Sequence, residues 1–135
     1  MVDTVQTNVL FDGTRRKIVQ LLNLCDGTGE SAVVKLDISA DSGGPAYNGG
    51  VPTKYGIEEV EYDIQGFTYV RIDFDATTDD EALFLPPGSG YKDFRSVGAI
   101  VDPQTTGYTG DVVLTTAGNV AGDTYDIILH LRKYG

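Results

Sequence analysis

The sequence has no tryptophan, one cysteine, one histidine and one methionine among its 135 residues. Each scarcity closes a class of chemistry. A lone Cys25 makes no intrachain disulfide and no cysteine-based zinc site, since both need more than one thiolate. As a free thiol it reads as part of a turn. A lone His130 would have to serve any nucleophile–histidine–acid triad, and no Gly-x-Ser-x-Gly turn is present to offer a nucleophile. His130 falls at an outward strand position beside Arg132, where a surface or interface contact is the ordinary role. No stretch reaches the ~18 consecutive apolar residues of a membrane span. Met1-Val2-Asp3-Thr4 lacks the basic start and apolar run of a secretory signal. The expectation is a protein made in a cytoplasm, without cleavable-signal export and without a membrane partner.

Positive charge is scarce as well. Lys and Arg total 10 against 20 Asp and Glu, a net charge of -10. That argues against sequence-independent nucleic-acid binding, which relies on cations to displace phosphate counterions. It favours basic partners and solubility. The only basic cluster is Arg15-Arg16-Lys17, too small for a nucleic-acid patch. It reads as a contact for an acidic neighbour or, equally, as a solvated strand start.

What the sequence does have is alternation. Val60, Tyr62 and Ile64 alternate with Glu59, Glu61 and Asp63. After Gln65-Gly66, Val70, Ile72 and Phe74 alternate with Arg71, Asp73 and Asp75. A period of two sends successive side chains to opposite faces, so each run is a strand with one buried and one wet face. The corner at Gly66 suggests that the two pair as antiparallel neighbours at the centre of the domain. Their wet side collects Glu58, Glu59, Glu61, Asp63, Asp73, Asp75, Asp79, Asp80 and Glu81, with Arg71 opposing.

The rest of the chain follows the same style. Residues 1–7 are polar and aperiodic and read as a flexible N-terminal arm. Residues 8–135 read as a single β-sandwich domain, a length ordinary for one core. Asn8–Phe11 is a short strand. Ile18–Leu22 is written equally well as a buried strand or a helical turn, because the run is too short for periodicity to decide. Ser31–Ser39 alternates, with Ala32, Val34, Leu36 and Ile38 inward and Lys35 and Asp37 outward. It suggests a hairpin with Arg15–Leu24. Asp41–Lys54 is a Gly- and Pro-rich loop, and long loops in compact domains tend to carry function. Glu81–Leu85 and Asp111–Thr116 are further strands, and Val101–Gly110 is another loop. Thr124–Lys133 closes the chain with Tyr125, Ile127, Leu129 and Leu131 on one face. About eight short strands at this spacing, with no clear helix, predict an all-β, antiparallel β-sandwich, jelly-roll-like in style.

Motif chemistry is sparse. Asp79-Asp80-Glu81 lacks calcium-loop spacing, and Gly27-Thr28-Gly29 and Gly88-Ser89-Gly90 lack the Gly-Lys-Ser/Thr ending of a phosphate loop. No catalytic residue, metal ligand or cofactor site is expected, and the chain is not expected to be an enzyme. Tyr47, Tyr55, Tyr91 and Tyr108 lie in or beside loops. Tyrosine is enriched at interfaces, so with Arg15, Arg16 and Lys17 they are the interface candidates. Packing over the sandwich ends is the alternative role for the tyrosines.

Three segments resemble the small head proteins of tailed bacteriophages. They are Phe11–Lys17 (Phe-Asp-Gly-Thr-Arg-Arg-Lys), Cys25–Ser31 (Cys-Asp-Gly-Thr-Gly-Glu-Ser), and Gly110–Gly118 together with Gly122–Ile127. The chain resembles capsid decoration, or cement, proteins. The resemblance implies a β-sandwich or jelly-roll module on the virion's capsid exterior, with the major capsid protein and its own copies, most often as a trimer, for partners. It carries no catalytic residues. A neck or tail structural protein of the virion would share these features. A carbohydrate-binding module using loop tyrosines is the remaining alternative, although such sites usually favour tryptophan.

Overall fold

The strongest alternating runs become strands, but the chain distributes them between two sheets. The computed structural model describes residues 4–12, 16–31, 33–36, 54–76, 80–101, 108–118 and 120–134. Its strands are β1 (Thr4–Asp12), β2 (Arg16–Leu24), β3 (Val33–Leu36), β4 (Lys54–Gln65), β5 (Tyr69–Ala76), β6 (Asp80–Leu85), β7 (Gly88–Asp93), β8 (Ile100–Val101), β9 (Tyr108–Ala117) and β10 (Thr124–Tyr134). One 3-10 turn, Arg95–Val97, interrupts them. The first sheet runs β1-β2-β10-β4-β7, with β8 also on β4, and the second runs β3-β9-β5-β6. Every pairing is antiparallel.

Leaving aside β1 and the two-residue β8, β2-β10-β4-β7 faces β3-β9-β5-β6. That is the strand order of a double-sheet jelly roll. The connections β2–β3, β3–β4, β4–β5, β6–β7 and β9–β10 all change sheet, which places inward residues of sequential strands opposite one another across the core. The expected core is present. Val60, Ile64, Val70, Ile72, Phe74, Ile127, Leu129 and Leu131 are buried, and Tyr62 packs half-buried against them.

Sheet changes correct two expected hairpins. β4 and β5 belong to different sheets. Gly66 adopts φ 94°, a left-handed conformation that glycine accepts without strain. Phe67 then turns wholly inward, 6.0 Å from the Tyr125 ring, and the Thr68 amide bonds the Ala117 carbonyl at 2.9 Å. Likewise β2 pairs β1 and β10, not β3. Alternation marks a strand's faces and carries no information about its neighbour.

Two further expectations change, and one open alternative is decided. Thr4–Thr7 are not a free arm: they lie in β1, paired with Leu24–Leu21 of β2. Met1–Asp3 lie outside the described residues. Ile18–Leu22 is strand rather than helix. In β3 a bulge between Val34 and Leu36 shifts the alternation, so Val34 is exposed and Leu36 buried. Ala32 and Ile38 fall outside the described side chains. A second bulge, opposite His130 and Leu131, shifts the phase of β4. Tyr55 and Ile57 point inward before it, and Val60 and Ile64 after it.

Lys35 is the largest departure, because it points in. Its ammonium pairs with the Glu30 carboxylate, with both side chains 5% exposed. Glu30 also accepts hydrogen bonds from Asn23 Nδ2 at 2.8 Å and Tyr125 Oη at 2.5 Å. Its backbone amide donates to Thr116 Oγ1, and its carbonyl accepts from the Thr116 amide, both at 2.9 Å. The Glu30 carboxylate thus ties β2 and β10 of the first sheet to β3 of the second, and its backbone adds β9. Removing one member of a buried ion pair leaves the other charged and unpaired, a loss of about 3–5 kcal/mol. Glu30→Ala is expected to lower unfolding stability by that amount in urea titration. The double variant Glu30→Gln, Lys35→Met, which removes both charges, is expected to lose less.

Candidate functional site

The outward face of the first sheet is a broad polar surface. Register aligns its side chains in rows across the strands. One row is Gln6, Leu22, Asp126, Asp63 and Ser89, and the next is Asn8, Gln20, Ile128, Glu61 and Tyr91. A third, beyond the β1 bulge, is Phe11, Ile18, His130, Glu59 and Asp93. On the β1 side a relay of amides joins strands: Gln6 Nε2 donates to Asn8 Oδ1 at 2.7 Å, Asn8 Nδ2 to Gln20 Oε1 at 3.3 Å, and Gln20 Nε2 to Asp126 Oδ1 at 3.0 Å.

The β4–β7 side is acidic. A depression of ≈ 640 Å³ lies over Glu61, Asp63, Ser89, Tyr91, Asp126 and Ile128. A smaller one of ≈ 260 Å³ lies between Phe11, Arg16, Ile18, Glu58, Glu59 and His130. Gly90 is required beside the first, because Tyr62 lies directly over it where a Cβ would stand. Tyr91 Oη donates to Glu59 Oε2 at 2.8 Å. That bond, lost on ionisation, pushes the Tyr91 phenol above its ordinary value, with burial and the nearby Asp93 and Glu59 charges acting the same way. Arg95 reaches Glu59 at 2.9 Å and grips Asp93 through Nε at 3.0 Å and a terminal nitrogen at 2.8 Å. Those side-chain bonds, then the Arg95 amide, hold the Asp93 carboxyl at about 2, and Arg95 itself is driven upward by Asp93. His130 Nε2 stands 3.9 Å from Glu61 Oε1.

The nine acids expected on one face are in fact divided. Glu59, Glu61 and Asp63 belong to this face, and Glu58 is buried at the bulge with Arg16 Nε 3.4 Å away. Asp73 and Glu81 stand on the other sheet, around Arg71 at 3.1 and 4.0 Å. Beside that arginine, Tyr69 and Phe84 meet edge to face at 5.6 Å. Local spacing gives no sign of this aromatic pair, because its two members come from different strands.

The interface candidates are not gathered into one place. Arg16 bonds to Glu58, and Lys17 lies over the Tyr55 ring at 5.9 Å, so their own chain engages both. Tyr55 is corrected: it is a core residue, 1% exposed, because the phase of β4 before the bulge turns it inward. It plays the alternative role of packing an end of the sandwich. Tyr91 is exposed on β7. Arg15, Tyr47 and the Tyr108 side chain lie outside the described residues, and so do most of the loops Asp41–Lys54 and Val101–Gly110. Among the described residues no group of three or more His, Cys, Asp or Glu side chains is placed to hold a metal ion. None of their helices is long and apolar enough to cross a membrane.

No protein-family model matches the chain, and no curated protein sequence does. Among solved structures the chain is similar to a cupin domain from Bordetella pertussis Tohama I, at 7% identity and a TM-score of 0.34, covering 100% of this chain and 98% of that one. A likeness of that degree carries no functional argument.

The Asp93–Arg95 contact sets a pH dependence. A carboxyl whose folded value is depressed contributes stability above its unfolded value and loses it as pH falls. For Asp93 that window runs from its ordinary 3.8 down to about 2. In Arg95→Ala the Asp93 carboxyl is expected to titrate upward, toward 3.8, as read by carbon-detected NMR of its side chain.

Proposed function

We propose that this protein is a structural component of a tailed-bacteriophage virion that binds the outer capsid surface and stabilises the head, acting by binding and not by catalysis. The observation that carries the reading is where the phage-like segments fall in the fold. Cys25–Ser31 is the crossing from β2 toward β3 and contains Glu30. Its Cys25 amide bonds the Asp123 carbonyl at 2.8 Å, and the Gly122 amide bonds the Cys25 carbonyl at 2.9 Å. Gly110–Gly118 is most of β9, and Gly122–Ile127 opens β10 with Tyr125. Two of the three segments that carry the resemblance, Cys25–Ser31 and Gly110–Gly118, therefore meet where the two sheets are joined, through Glu30 and Thr116. A frame is what subunits of an assembly have in common when they share no chemistry.

The major capsid protein is the proposed partner. A subunit that binds only the assembled shell draws the equilibrium away from disassembly by mass action. Many repeated contacts let each remain weak. The expected outcome is density for this protein on the capsid exterior in a cryo-EM map of purified particles. Particles lacking it are expected to release DNA at a lower temperature than complete ones. Equal release temperatures would remove the stabilising role. Density confined to the portal vertex or tail would assign the protein to the neck or tail instead.

A further inference from the structure

The free edge of β1 is unguarded. β1 is the outermost strand of the first sheet, so one row of its backbone N–H and C=O groups meets no described strand. Natural edges are blunted by charge or proline because such a row invites pairing with another chain. Thr4–Leu10, Thr-Val-Gln-Thr-Asn-Val-Leu, holds neither, and the bulge comes only after Val9. By register Val5, Thr7 and Val9 share a face with Asn23, Leu21 and Val19. Those three are buried, whereas Val5 and Val9 are 46% and 56% exposed. At that exposure these two inward-facing valines are left largely uncovered.

The strand is also self-complementary about Thr7. Reversed against a copy of itself, Thr7 faces Thr7, Gln6 of one copy faces Asn8 of the other, and Val5 faces Val9. Opposed valines, opposed threonines and an amide pair are all favourable cross-strand neighbours. Electrostatics selects the same edge. With a net charge of -10 and an acidic β4–β7 side, two copies repel when their outer faces approach. β1 is a strand on which they meet without opposed charge.

We propose that β1 docks antiparallel onto β1 of a second copy about a two-fold axis at Thr7, joining the two first sheets into one and burying Val5 and Val9 against each other. The contact is isologous, the same patch on both copies. It makes a dimer in place of the trimer that the phage resemblance implies, and it stands independently of the capsid assignment.

Directly opposed residues of an antiparallel pair have Cα atoms about 4.5–5.5 Å apart, within disulfide reach. Thr7→Cys is therefore expected to give a reducible covalent dimer on mild oxidation, with the wild type as control because its Cys25 is buried. Gln6→Cys and Asn8→Cys are expected to cross-link only when mixed with each other. By sedimentation the wild type is expected at twice the chain mass of 14.5 kDa. Thr7→Lys, still folded by circular dichroism, is expected at the chain mass itself. A wild type that sediments as a monomer together with an uncross-linked Thr7→Cys overturns the proposal. A trimeric mass, or Gln6→Cys cross-linking readily to itself, overturns it equally.

Discussion

The structure depends on one buried carboxylate. Glu30 sits on a crossing between sheets, where backbone groups have few strand partners, and it supplies what the crossing lacks. Its side chain meets Asn23, Lys35 and Tyr125, and its backbone closes a reciprocal pair with Thr116. A buried charge is tolerated only when it is paired and hydrogen-bonded. Meeting that demand here needs residues from three strands, β2, β3 and β10, in a single arrangement. The apolar core supplies most of the driving force for folding, since burial is roughly proportional to area and indifferent to direction. The Glu30 cluster is directional, and it specifies which ends of the sheets meet.

The same logic explains why the surface divides as it does. Changing sheets after β4 sends the acidic residues of β4 and β5 to opposite sides of the sandwich. Each group then finds its own arginine: Arg95 for Glu59 and Asp93, Arg71 for Asp73 and Glu81. Both arginines lie close in sequence to an acid they hold, at a spacing of two. The Arg95–Asp93 pair is exposed and worth little as stability, whereas Asp73 is buried beside Arg71. The effect of both pairs is to set local charge, and they leave Thr4–Leu10 of β1 as an uncharged border of an acidic face.

The two features that bear most directly on partners are of different kinds. The β4–β7 face offers charge and a broad depression, suited to a basic, polar surface. The β1 edge offers unpaired backbone and uncovered valines, suited to a strand. Under the virion role proposed above, the first serves the shell and the second the protein's own copies.

Much of the fold was legible in the residues. Period-two alternation at Val60–Ile64, Val70–Phe74 and Tyr125–Leu131 marks buried faces because a strand has only two sides, and those faces are the core. Neighbour relations were not legible. Whether β4 pairs β5 depends on Phe67 finding the core beyond Gly66, and the inward turn of Lys35 depends on a bulge and on Glu30 waiting across the interface. Tyr55 joins the core, not the surface, because the β4 bulge reverses the strand's phase. The sequence by itself determined the strongly alternating strands around Val60–Ile64, Val70–Phe74 and Tyr125–Leu131 and which of their sides are apolar, since both follow from local spacing. Only the tertiary structure decided which strands are neighbours, which charges are buried and which edge is left open, because those depend on contacts between residues far apart in the chain.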